Sequence, residues 1–196
     1  MDGRVQRGQN TRAQLLAAAT DLFAERGYEA TSIELVLQRS GVSRGSLYHH
    51  FTTKEALFEA VLDGVEARVA RSGVQAAARF GDPVEALRAG CLNFLELATE
   101  PVVQRIVLLD APAALGWQRW REIDERHAFG ILKRAVEAIH ERHALAAAPE
   151  LVAHMLLASL IELAMLVARA DRPKRALRDA REALEVLIDR LLADAV

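Results

Sequence analysis

Arg44, Ser46, Tyr48 and His49 stand almost side by side in the chain, and each carries hydrogen-bond donors. An arginine can bond O6 and N7 of guanine together, while hydroxyls and lysines reach phosphate oxygens. No acidic residue falls between Glu34 and Glu55, although the whole chain carries a net charge of −2. An uncharged-to-basic window in a balanced protein suits a polyanion such as nucleic acid. The spacing gives each residue a place. Gly41 is a turn, Ser43 caps a short helix, and Leu47 and Phe51, four apart, face inward. Arg44, Gly45, Ser46, Tyr48, His49 and His50 are left for the outside or the rim. Gly45 lets the helix approach a groove floor. Tyr48 and Lys54 flank the tip and suit phosphate. Thr31, at a helix start, offers a hydroxyl and backbone N–H groups to a phosphate. Arg4, Arg7 and Arg12 form a basic N-terminal arm able to reach a minor groove. An ordinary solvated face is the competing reading. The cap, turn, inner spacing and missing acids agree with one another and outweigh it.

The elements that position these residues are helical almost throughout. A first helix is expected over about Thr11–Arg26, with Leu15, Leu16, Ala19, Leu22 and Phe23 inside and Gly27 ending it. Thr31 or Ser32 caps a second helix whose inner face is Ile33, Val36 and Leu37. Ser43 caps the third. Thr53 caps a fourth that carries Leu57, Phe58, Val61, Leu62, Val65 and Val69 to about Ala78. Asp82-Pro83 starts a fifth, which stops before Pro101. A sixth runs near Val102–Leu109 and is broken by Pro112. The seventh spans about Trp117–Arg142. The eighth follows Pro149 and is apolar nearly all round, hence central. The ninth starts at Asp171-Arg172-Pro173. The fold class is all-α, with about nine helices. Residues 1–53 form a three-helix helix-turn-helix unit, and residues 54–196 form a larger helical body.

Residues from about Thr11 to Phe58 resemble the DNA-binding domain of the TetR/AcrR family of bacterial regulators. The resemblance is carried by Ala18, Leu22, Phe23, Gly27, Tyr28, Thr31, Ser32, Ile33, Gly41-Val42-Ser43, Gly45, Leu47-Tyr48, His50-Phe51, Lys54-Glu55 and Leu57. It implies an all-helical homodimer, usually a repressor, released from a double-stranded operator by a small ligand. It places Arg44, Ser46 and His49 on base-reading positions and Thr31, Tyr48 and Lys54 on phosphate positions. The second helix departs from the family: Leu35-Val36-Leu37 stands where an acid, an apolar residue and alanine are common. Leu37 must be fitted against the third helix.

In the family the body holds a ligand pocket, and the last two helices form the dimer interface. Pocket walls are sought at Phe94, Leu95, Val107, Trp117, Trp120, Phe129, Met155 and Leu156, and polar groups at His127, His154 and Glu162. Plain core is an even competitor for each apolar residue. Glu162, a carboxylate within an apolar run, needs either a ligand or an arginine across the dimer.

Other classes fare worse. Cys91 is the only cysteine, which excludes an intrachain disulfide and a cysteine metal site. Glu137-Ala138-Ile139-His140 has the spacing of one half of a di-iron bundle, but no second copy exists. Neither a nucleophile motif nor a phosphate loop occurs. No catalytic residue, cofactor or metal is therefore expected. A helix-turn-helix adaptor without a ligand remains the third reading. Nothing resembles a signal peptide, and Met155–Ala170 is interrupted by Ser159, Glu162 and Arg169. A cytoplasmic protein without membrane contact is expected.

Overall fold

The computed structural model describes residues 3–192, without the side chains of residues 4, 5 and 7. The arm residues Arg4 and Arg7 thus lie outside the described side chains. Ten α-helices run in order: α1 (Gly3–Ala30), α2 (Ile33–Ser40), α3 (Arg44–His50), α4 (Lys54–Ala77), α5 (Pro83–Leu97), α6 (Ala111–Leu115), α7 (Trp117–Asp124), α8 (Gly130–Arg142), α9 (Pro149–Ala168) and α10 (Pro173–Leu191). A π-turn segment, Val103–Asp110, leads into α6, and another, Glu125–Phe129, joins α7 to α8. Counting α7 and α8 as one rod gives nine helices among the described residues. No strand occurs among them.

Two elements differ from their expected bounds. The first helix begins at Gly3 rather than Thr11, so the described part of the basic arm is helical. Pro112 does not break the sixth helix. The wide turn sends the Ala111 N–H back to Ile106 O, and the chain stays helical to Leu115. Proline has no N–H to place and needs room for its ring, which a wider turn provides. The rod ends instead at Gly116, at φ 78°.

Gly27 breaks α1 at φ 82°, ψ 170°, a conformation essentially limited to glycine. The break frees carbonyls at the end of the helix. Thr31 takes them up: its hydroxyl donates to Gly27 O at 2.8 Å and to Leu22 O at 3.2 Å. The Tyr28 N–H donates to Asp110 Oδ2 at 2.6 Å, and the Arg105 Nε meets the same oxygen at 3.3 Å. The end of α1 is thereby fastened to the body. Gly27→Ala is expected to cost about 1–3 kcal/mol through backbone strain. A Cβ there would also displace the Arg105 guanidinium. Urea unfolding checks this, and an unchanged midpoint would contradict the account.

α4 connects the two parts. Its buried residues Leu57, Phe58, Val61 and Leu62 pack under the helix-turn-helix, and Val65 and Val69 continue into the body core. Phe23, Tyr28 and Phe58 meet there as an aromatic cluster. Buried residues from α1 to α10 form one continuous core, which fits a small N-terminal unit leaning on its body.

α9 is not the central helix its composition suggests. It has 20 residues, and an 18-residue window of them reaches a mean hydropathy of 2.2, long and apolar enough to cross a bilayer, contrary to the expectation from its polar interruptions. It packs against α8, α10 and α5 with Val152, Leu156, Leu160 and Ala164 buried. The opposite side leaves Leu151 and Leu166 more than half exposed, at 59% and 57%.

Candidate nucleic-acid interface and ligand cavity

Gly41 closes α2 from the left-handed region, at φ 68°, with its N–H on Leu37 O. The chain turns through Val42, and Ser43 caps α3 by accepting the Ser46 N–H at 3.3 Å. Leu47 is fully buried and Phe51 nearly so. These two anchors fix the rotation of α3. Ser43, Arg44, Gly45, Tyr48 and His49 then face solvent, with Ser46 and His50 at the rim. Leu35 and Leu37 are half-buried against the core, so the departure in α2 is absorbed without exposing a leucine. A Cβ built on Gly45 meets nothing within 4 Å. The missing side chain there relieves no contact inside the protein and instead keeps the outer face shallow.

The charge pattern differs in one respect from its linear reading. Arg44 Nη2 lies 2.6 Å from Glu34 Oε1 across the turn, so folding returns an acid to the basic window. The carboxylate's own backbone N–H and the Arg44 guanidinium hold it below its ordinary range. Both side chains remain largely open to solvent, at 57% and 64%. An ion pair so exposed is weak and easily exchanged. Ser43 and Ser46 hydroxyls lie 2.9 Å apart and share a hydrogen bond. Lys54 sits 4.1 Å above the Tyr28 ring, a cation–π contact that holds it at the α4 N-terminus beside the Thr53 cap. Arg12 lies over the Phe51 ring.

Thr31 is the correction in this group. It is fully buried, its hydroxyl is committed to α1 carbonyls, and its N–H donates to Tyr28 O. It has nothing to give a phosphate. Ser32 is the exposed cap of α2, accepting the Leu35 N–H. The extended backbone of a residue just before the periodic run marks Ser32 rather than Thr31 as the cap.

A cavity of about 200 Å³ lies in the body between α4, α5, α8 and α9. Val69, Gly73, Cys91, Phe94, Ile131 and Leu157 are among its walls, and no charged side chain lines it. Burial pushes the Cys91 thiol up to about 12, so it serves as an inert apolar wall. Of the eleven residues considered for a pocket from sequence, Phe94 alone lines this one. Trp117 is 65% exposed and covers Trp120, which is core. His127 bonds Asp63 at 3.0 Å. Met155 and Glu162 lie on the outer face of α9. Periodicity could not separate the two faces of a helix that is apolar on both. Leu95, Val107 and Leu156 are plain core, and His154 stacks on Phe129. His140 accepts the Leu145 N–H through Nδ1, closing the end of α8.

A family model described as bacterial regulatory proteins of the tetR family matches residues 15–61. Another, the tetracyclin repressor-like C-terminal domain, matches residues 84–191, more than half of the chain. The chain is 33% identical to the HTH-type transcriptional regulator UidR of Escherichia coli K12 over 103 residues. That stretch is 53% of this chain and 46% of the relative. An HTH-type transcriptional repressor of Mycobacterium tuberculosis is 51% identical over 59 residues, 30% of this chain and 31% of its own. The matched stretches thus span half or less of these curated relatives. The crystal structure of a TetR-family transcriptional regulator from Pectobacterium atrosepticum superposes with a TM-score of 0.81 at 33% identity. It covers 95% of this chain and 96% of the other. The chain belongs to the TetR family of bacterial regulatory proteins.

Proposed function

We propose that this protein is a cytoplasmic, sequence-specific DNA-binding regulator of transcription, acting as a homodimeric repressor released by a small apolar effector. The observation that carries the reading is the division of α3: Leu47 and Phe51 are locked inward, and Arg44, Gly45, Tyr48 and His49 are left outward. A short helix held this way enters a major groove with its N-terminal residues at the base edges. Arg44 exchanges Glu34 for guanine. A solvent-open ion pair is worth less than a bidentate contact to O6 and N7, so the exchange runs toward DNA. Ser46 and His49 read neighbouring bases, and Tyr48, Lys54 and the Ser43 cap hold phosphates.

Dimerisation through α9 and α10 is supported by the uncovered apolar side chains Leu151, Met155, Leu166 and Val186. A second copy would remove them from water and set two α3 helices on a palindromic site. Glu162 lies on that same outer face, where an arginine of the second copy would satisfy it. The cavity beside α4 supports a switch, because α4 also carries the helix-turn-helix. An effector releases DNA only by binding the non-DNA arrangement more tightly.

Arg44→Ala is expected to relax sequence preference and cost about 1–3 kcal/mol of specific binding. Lys54→Ala should weaken all sequences alike and lower the slope of affinity against salt by about one ion. Sequence selection followed by salt titration of the chosen site checks both. DNA binding untouched by either change would sink the assignment.

A further inference from the structure

Glu66 is the one buried carboxylate with an oxygen, Oε1, that meets no hydrogen-bond partner among the described residues. It is only 2% exposed. It lies on α4 one helical turn before Val69 and Ala70, which line the cavity. Asp124, 5% exposed, lies one turn before Ala128 on the opposite wall. Neither acid is a wall residue, and both lie one turn beyond the same end of an apolar space. Asn93 Oδ1, on the α5 stripe that continues Ala86 and Gly90, is a second buried acceptor without a donor.

The neighbouring charges do not help Glu66. On α7, Arg121 is held by Asp124 at 3.4 Å and by Glu125 at 3.6 Å. On the following π-turn segment, Arg126 and His127 both face Asp63, at 3.4 Å and 3.0 Å. Asp63 itself lies one turn before Glu66 on α4. Burial, then the charges of Asp124 and Asp63, push the Glu66 carboxyl up to about 8. The end of the cavity thus offers acceptors in a negative surrounding, and the one unpartnered buried donor among the described residues, Trp120 Nε1, lies a turn before Asp124 on α7, farther from the cavity walls. An anion would meet repulsion and no cation there. An ammonium would supply donors and cancel the repulsion together. Space sets the size: a cavity of roughly 150 Å³ holds one benzene ring, so about 200 Å³ holds a ring with a short tail.

We infer that the cavity takes a small apolar amine, its hydrocarbon part between α4, α5, α8 and α9 and its ammonium on Glu66. This rests on the reading of the cavity as an effector site. The amine remains protonated, and Glu66 releases its own proton to solvent as the ion pair forms.

Three probes of nearly one shape test it: 2-phenylethylamine, 2-phenylethanol and phenylacetate. Calorimetric titration of the full-length protein near neutral pH should rank the amine at least about tenfold above the alcohol, with phenylacetate unbound. Glu66→Gln, whose fold is checked by circular dichroism, should lose that tenfold advantage and keep its affinity for the alcohol. Titration of the amine in buffers of different ionisation enthalpy should report net proton release from wild type and none from the variant. If the alcohol binds as well as the amine, or the advantage survives in Glu66→Gln, the charge assignment is wrong and the cavity reading stands. If none of the three binds, both fall.

Discussion

Phe58→Ala lowers the stability of the protein by about 3–5 kcal/mol, the expected cost of removing a fully buried phenyl ring that cannot be replaced by collapse of its neighbours. Phe58 is completely buried on α4. Its ring meets Phe23 edge-on at 4.9 Å and Tyr28 at the same distance, so it touches both sides of the Gly27 break. Such pairs add to the burial term. The cluster also decides where the helix-turn-helix sits. Tyr28 is held by its N–H on Asp110 and supports Lys54 on its ring, so losing Phe58 loosens the phosphate contact with the core. DNA affinity should therefore fall more than for Lys54→Ala, although Phe58 never reaches the surface. Urea unfolding at fixed protein concentration measures the stability change, with the exposed Gln75→Ala as a surface control. A Phe58→Ala midpoint equal to that of the control would show that the cluster is not the joint described.

The helix-turn-helix was legible because its rules are local. Caps, the two glycines and the i, i+4 pair Leu47–Phe51 act within a turn or two of chain, and all of them occur as read. Thr31 escaped because its role depends on where α1 ends: only after Gly27 breaks the helix do the carbonyls of Leu22 and Gly27 need its hydroxyl. Glu34 escaped for a similar reason. It closes the acid-free window in sequence, yet the turn folds it back onto Arg44. The cavity was the least legible part. Trp117 and Met155 look like walls by size and polarity, and both are exposed. Seven of its sixteen wall residues are glycine or alanine, Ala70, Gly73, Ala77, Ala86, Gly90, Ala128 and Ala135, which leave space by what they lack. Glu66 did carry a signal. It falls on the inner stripe of α4, four residues after Leu62 and three before Val69, where a carboxylate is out of place.

That misplaced carboxylate gives the second large effect, a loss of stability as pH rises. In the unfolded chain Glu66 ionises near its ordinary value of 4.5, whereas in the folded protein burial holds its proton to about 8. Between those limits the folded state binds a proton that the unfolded state has released, so stability falls with rising pH and levels off above about pH 8. Asp124 acts with the same sign over a lower window, since burial pushes it from 3.8 to about 6. The Glu66 share is on the order of 5 kcal/mol across the window. Glu66→Gln removes that share, because the amide has no proton to lose. The variant should match wild type near pH 4 and exceed it by several kcal/mol near pH 9. Urea midpoints of both proteins across that range, at one concentration so that any dimer contributes equally, give the measurement. Parallel curves would mean that Glu66 is ionised and solvated in the folded protein. Divergent curves would mean that the free protein holds an unrelieved acid at the end of its cavity. A bound cation would then stabilise the fold most at the alkaline end, where the unliganded protein is weakest.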